Sequence, residues 1–457
     1  MHKNVIFTIS SLNYLVYDMH VRETFLKYNP GWDFVIYLID KIPNIKVFND
    51  VQELRKTVDI RFIDEQSDFV PFLDFSMKYN VYEFNVAVKP FIFQHLFNSG
   101  VERAIYIDPD VAFYNKISVL EECLDSNDIV LTPHVKRYEK ISDDSKLSVP
   151  LERLLQAGIY NLGFIAIKNT NNAKRCLKFW AEMLASKGFL SPQEGLFCDQ
   201  KWCDVFPLFF DKVCILKDDG YNVSAWNLHE ITISRRQNIY YANDSKLVFY
   251  HFSGWKRDCS ESVDVYLKNR KISNVSQSLK DLLGDYQKSI CRYAIEDFVG
   301  ISFFYDKYPL PNNHCFDKKY FYNKQIPIRN IFYENCVLGD VISALSRQLN
   351  KKRKFIKGIK VKMYIQRLLQ NQRCWGFNFY VDGQENCCKL RKLMSGSGVA
   401  YILHNINDDC GIKNSAIYSD TLVVSDNELN LQSDIKVMST KTLCSLEKVE
   451  DLLQFFK

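Results

Sequence analysis

Short apolar runs alternate with amphipathic stretches over roughly the first 110 residues of this chain, and few folds accommodate such a pattern. Residues 5–9 (VIFTI) read as a strand buried on both faces. Residues 12–26 suit a helix, 33–39 (DFVIYLI) a second buried strand ending at Asp40, and 59–63 a third strand. Within 79–97, Phe84, Val88, Phe91, Phe93 and Leu96 carry helical spacing, with a break expected at Pro90. Residues 103–107 (RAIYI) are a further buried strand, cut off by Asp108-Pro109-Asp110. Such alternation predicts an α/β sandwich around a mainly parallel sheet.

Ligands of such sheets bind beyond the carboxyl ends of the strands. That rule marks Thr8 to Asn13, Asp40, and Asp108 to Asp110 before any chemistry is considered. Further along, 129–132 and 160–167 read as strands, 174–184 as an amphipathic helix, and 197–205 as opening a helix that holds Asp199 and Gln200. Residues 247–251 (LVFYH) read as the last strand of this unit, ending in a Ser253-Gly254 turn.

At 457 residues the chain exceeds one ordinary core. The expected division is 1–270, a helical and basic connecting region 271–372, and a small α/β domain 373–457. In the last, 375–381, 385–394 and 399–404 spell strand–helix–strand. A net charge of +5 over this length does not mark a nucleic-acid binder. Fourteen cysteines at irregular spacing are too sparse for a disulfide scaffold and fit reduced core thiols in a reducing compartment. There is no secretory-leader pattern and no apolar run long enough to span a bilayer. A cytoplasmic protein is therefore expected, at most peripheral at the inner face of the membrane. Residues 347–373 hold ten Lys or Arg and no Asp or Glu. They read either as a solvated basic face or as a contact with anionic membrane.

The chemistry concentrates at two points. In Ile105-Tyr106-Ile107-Asp108-Pro109-Asp110, a buried strand delivers carboxylates at i and i+2 across a stiff turn. Two hard oxygen ligands so placed can hold a divalent ion that also takes diphosphate oxygens, and such an ion assists departure of a diphosphate. Taken alone, the pair also fits a solvated acidic turn. His251 ends another buried strand, followed by Phe-Ser-Gly-Trp-Lys-Arg. Its imidazole could complete the metal shell, Gly254 would let backbone approach a phosphate, and Lys256 or Arg257 would pair with its charge.

Together these residues resemble the GT-A glycosyltransferases, nearest to the family-eight retaining type and its bacterial polysaccharide-biosynthesis relatives. The resemblance covers about residues 3–260, slightly over half the chain. Asp108-Pro109-Asp110 matches the Asp-x-Asp metal motif, and His251-Phe252-Ser253-Gly254 the His-x-x-Gly motif whose histidine binds metal. Tyr221-Asn222 and Trp226-Asn227-Leu228 resemble a further family segment. The likeness extends to Asn161 and Gly163 beside the donor sugar, Asp199 and Gln200 near the anomeric carbon, and Lys89-Pro90 beside the nucleotide. Thr8, Ser10 and Asn13 match the loop that touches the nucleoside. One departure stands out: where the family commonly places Lys then Pro, this chain has Arg257 preceded by Lys256 and no proline.

The resemblance implies a GT-A, Rossmann-like mixed sheet with helices on both faces, and a hexosyltransferase-type enzyme. It would use Mn²⁺ or Mg²⁺ held by Asp108, Asp110 and His251, with a nucleotide-sugar donor for which UDP is the expected nucleotide. Asp40 is a candidate for the ribose or base. Lys256 or Arg257 would take up leaving-group charge, and Asp199 and Gln200 would stabilise the sugar centre. The acceptor would be a saccharide, a lipid-linked saccharide or a protein, with retention of configuration. Two other classes fit the residues less well. A nucleotidyltransferase should carry a glycine-rich loop after the first strand, and Ser10-Ser11-Leu12-Asn13 has none. A catalytically silent relative would be expected to lose some of Asp108, Asp110, His251 and Asp199, all of which are intact.

Overall fold

The computed structural model describes 3–255 apart from 44, 64–74, 76–78 and 138–149, then 276–303 apart from 294–297, 299 and 302, and separate elements between 377 and 452. The N-terminal part is built on strands β1 (Asn4–Ser10), β2 (Asp33–Leu38), β3 (Asp59–Phe62), β4 (Arg103–Ile107), β6 (Ile129–Leu131), β7 (Phe164–Lys168) and β8 (Val213–Ile215), while β5 (Val111–Phe113) stands outside this set. They form one seven-stranded sheet in the order β8-β6-β7-β4-β1-β2-β3. Strand β7 runs antiparallel to both β4 and β6, and every other pairing is parallel. The sheet is therefore mixed.

Alternation along β1 explains the two layers. Val5, Phe7 and Ile9 enter a core with Phe84, Ile92 and Phe93 from helices α3 (Val81–Ala87) and α4 (Lys89–Asn98), and with Trp180 from α6 (Asn171–Lys187). Ile6 faces the opposite core, with Val21 and Phe25 of α1 (Leu15–Tyr28), Val51 of α2 (Ile45–Arg55) and Leu120 of α5 (Ser118–Ser126). Period-two strands thus feed helices on both faces, which is the α/β architecture expected from the sequence. The break at Pro90 is equally local. Asn80 and Glu83 form a capping box that starts α3, and α4 restarts with proline in its first turn.

One expected element is placed differently. The strand ending in His251, β9 (Phe249–His251), does not join the large sheet. It pairs antiparallel with β5, setting His251 opposite Val111. The turn at 108–110 sends the chain out of the large sheet, so a separate two-stranded ribbon carries the histidine back to the aspartates.

Helix α8 (Gln277–Arg292) buries Leu279, Leu282, Tyr286 and Ile290, with Tyr286 stacked on Phe252 at 3.6 Å between ring centres. Beyond it, β10 (Phe377–Val381), β11 (Tyr401–Asn405), β12 (Thr421–Val424) and β13 (Lys436–Met438) make a parallel sheet in the order β11-β10-β12-β13. The helix α9 (Gln384–Met394) links β10 to β11, giving the anticipated strand–helix–strand. Cys176, Cys198 and Cys203 are buried free thiols. Among the described residues, no helix is long and apolar enough to cross a membrane. The basic stretch 347–373 lies outside the described residues.

Candidate metal and donor site

Because β1, β2 and β4 are parallel, their carboxyl ends share one edge of the sheet. Antiparallel β7 starts at that same edge, so the turn 161–163 lies beside Asp108. The backbone N–H of Asp108 donates to the Gly163 carbonyl at 2.8 Å, and Phe252 N–H donates to the Asp110 carbonyl at 2.8 Å. These bonds fasten the Asp-Pro-Asp turn to both of its neighbours.

There His251 Nε2 lies 3.0 Å from Asp110 Oδ1 and 3.6 Å from Asp108 Oδ2. The ligand atoms of the three residues all lie within 4.8 Å of one another. His251 is buried, while each aspartate keeps about a quarter of its side chain exposed. Burial works against charging the His251 ring, but Asp110 and then Asp108 outweigh it and raise the pKa. Two carboxylate oxygens and an imidazole nitrogen, converging from a partly open side, form a set that could hold a divalent cation. His251 is held by its N–H to Val223, its carbonyl to Ser224 Oγ at 2.7 Å, and Trp226 edge-on at 5.1 Å.

Gly163 is required by closeness. A Cβ there would lie 2.3 Å from His251 Cε1 and 2.8 Å from Asp108 Oδ2. Asn161 Oδ1 accepts from Gly163 N–H at 3.1 Å and from Asn222 Nδ2 at 3.0 Å, fixing the turn. Gly254 takes φ +78° in the turn closed by Trp255 N–H on the Phe252 carbonyl, a conformation that glycine suits.

The remaining expected residues occupy definite places. Lys89 is buried, with Nζ 2.7 Å from Asp199 Oδ2 and 2.8 Å from the Leu162 carbonyl. Burial raises the Asp199 pKa, and Lys89 pulls against it. Gln200 accepts from Leu162 N–H at 3.0 Å and donates to the Ala157 carbonyl at 3.0 Å, tying the start of α7 (Gln200–Cys203) to the 157–162 segment. Cys198 precedes this pair at φ +49°, left-handed backbone that a cysteine rarely adopts. Asp40 is buried and accepts from Leu12 N–H at 3.1 Å and Lys41 N–H at 2.9 Å, joining the loops after β1 and β2. Ser10 gives its hydroxyl to Asp18 at 2.5 Å, Thr8 is fully buried, and Asn13 receives the Ser11 hydroxyl at 2.6 Å. Lys256 and Arg257 lie outside the described residues.

Sequence reasoning passed over Tyr106, which gives its hydroxyl to Asp108 Oδ1 at 2.5 Å. A signal existed, since residues at i and i+2 of a strand share a face. It also passed over His134. That buried ring contacts the Ile159 carbonyl at 3.2 Å and packs on Trp226 at 5.3 Å, and burial lowers its pKa to about 4.

No family model matches the chain. It is 34% identical over 184 residues to an uncharacterized Bacillus subtilis protein, YfnF, covering 38% of this chain and 57% of that one. A second uncharacterized B. subtilis protein, YfnD, is 26% identical over 102 residues, covering 22% and 33%. The chain therefore spans 57% or less of the curated relatives it matches. Among solved structures it is similar to the glycosyltransferase GlyE of Streptococcus pneumoniae TIGR4, at 9% identity and TM-score 0.39 with full coverage of both chains. It is also similar to the galactosyltransferase LgtC with donor and acceptor sugar analogues, at 11% identity and TM-score 0.34 over 62% of this chain and 95% of that one. The bifunctional WbbM apo structure follows, at 13% identity and TM-score 0.36 over 62% and 51%.

Proposed function

We propose that the chain is a metal-dependent glycosyltransferase that moves a sugar from a nucleotide diphosphate donor, UDP being the expected nucleotide, to a saccharide, lipid-linked or protein acceptor. The observation that carries this reading is the convergence of Asp108, Asp110 and His251 from separate strand ends onto one partly open point at the sheet edge. In this reading the three residues hold Mn²⁺ or Mg²⁺. When bound, the ion supplies Lewis-acid neutralisation of the donor diphosphate.

The chain's own groups do the remaining work. The loop after β1 and the end of β2, cross-tied by Asp40, form a firm floor for the nucleoside. Asp199 is tied to Lys89, and Gln200 to backbone groups at both ends of its amide. Fixed groups of this kind suit electrostatic stabilisation of an oxocarbenium-like sugar centre. Lys256 or Arg257 would pair with the leaving-group charge. Retention of configuration is carried over from the family-eight resemblance. The division of labour is read from the sequence itself: 1–270 for donor chemistry, 271–372 as connection, with 347–373 either a solvated basic face or a contact with anionic membrane, and 373–457 for acceptor binding or oligomerisation.

The direct test is Asp110→Ala. It should abolish metal-dependent donor hydrolysis or transfer with the fold intact. Full activity in that variant, or in EDTA, would overturn the reading.

A further inference from the structure

Tyr106 lies one strand position before the end of β4, on the same face as Asp108. Its ring is buried and confined, with Phe7 at 5.5 Å and Lys89 Nζ 4.1 Å from the ring centre. Its hydroxyl meets Asp108 Oδ1 at 2.5 Å, while the other oxygen, Oδ2, is the one that faces His251 Nε2 at 3.6 Å. The two oxygens of one carboxylate therefore have separate employment.

We propose that Tyr106 is a positioning residue that engages Asp108 Oδ1 and so presents Oδ2 alone to a divalent cation. The inference rests on the reading of Asp108, Asp110 and His251 as a cation site. A hydrogen-bond donor on one carboxylate oxygen fixes the plane of the group and disfavours two-oxygen coordination, and partners of this kind tune affinity from outside the ligand set. The same ring has a second duty. Its face carries Lys89, whose ammonium pairs with Asp199. The hydroxyl thus serves Asp108 and the ring serves the Lys89–Asp199 pair, so the two can be separated by substitution.

Tyr106→Phe removes the hydroxyl and keeps the ring. The test is a Mn²⁺ titration of the full chain, followed by electron paramagnetic resonance of the free ion, alongside urea unfolding. Tyr106→Phe should weaken Mn²⁺ about 10- to 100-fold. With saturating metal, kcat for donor hydrolysis should return to within about twofold of wild type, because Lys89 and Asp199 keep their support. Phe7→Leu, which alters packing against the same ring without touching Asp108, should leave Mn²⁺ affinity unchanged. Equal Mn²⁺ affinity in wild type and Tyr106→Phe overturns the proposal while leaving the cation site standing. An equal loss in Tyr106→Phe and Phe7→Leu also overturns it, reducing Tyr106 to core packing. A wild-type chain that binds no Mn²⁺ overturns both the proposal and the reading beneath it.

Discussion

Gly163 and His251 are so close that a single methyl group on the glycine would lie 2.3 Å from the ring carbon Cε1 and 2.7 Å from Nδ1. The contact is between the turn entering β7 and the end of β9, elements that arrive from different sheets. It makes the cluster's geometry depend on a residue that contributes no ligand atom. Gly163→Ala should therefore push the imidazole or Asp108 aside. The expected outcome is a folded protein destabilised by about 1–3 kcal/mol, with Mn²⁺ affinity reduced at least tenfold in order of magnitude. Calorimetric Mn²⁺ titration with urea unfolding checks it, and unchanged affinity would show that the close approach is incidental.

The pair Lys89–Asp199 predicts a different signature. Both side chains are almost wholly buried at 2.7 Å separation. Removing one partner leaves an uncompensated charge, so Lys89→Met should cost about 3–5 kcal/mol of stability. Replacing both, in Lys89→Met with Asp199→Leu, should recover much of that loss, because an apolar pair of similar volume needs no solvation. Donor hydrolysis should stay depressed in the double variant. Urea unfolding separates the two quantities.

The strands and their order along the chain were legible in the sequence because buried strands are written as apolar runs, and β1, β2 and β4 are nearly continuous ones. The Asp108, Asp110 and His251 set was legible for a related reason: each follows or ends such a run, and strand ends are where ligands meet an α/β sheet. What the sequence could not show was the ribbon. Phe249–His251 has the composition of a sheet strand, and only tertiary pairing decides that its partner is Val111–Phe113. Nor could it show the interior roles. Lys89 is a polar residue in an apolar helix and reads as a ligand contact, yet the fold pairs it with Asp199, more than a hundred residues away. Tyr106 hides among apolar neighbours because its ring belongs to the core and only its hydroxyl to the site.

Asp18 gives a pH prediction. It is fully buried on α1, and burial pushes its carboxyl up from the ordinary 3.8 to about 8, with Ser10 and Thr8 pulling the other way. The folded state therefore binds a proton that the unfolded chain releases near pH 4. This contribution is complete below that pH and is lost as pH rises through about 8. Asp18→Asn, which keeps the shape and never ionises, should remove a slope of up to about 1.4 kcal/mol per pH unit. Urea midpoints of both proteins from pH 5 to 8 should converge at the acid end, with the variant relatively more stable at the alkaline end. Parallel curves would contradict the assignment.

Asp108, Asp110 and His251 are proposed to act together as one divalent-cation site. Its most direct test is a Mn²⁺ titration of wild type and His251→Ala by electron paramagnetic resonance, with UDP or GDP present and absent. Wild type should bind one ion per chain, more tightly with the nucleoside diphosphate that the site accepts, and His251→Ala should lose that ion. Absence of Mn²⁺ binding by wild type, or binding of equal strength in the variant, would contradict it.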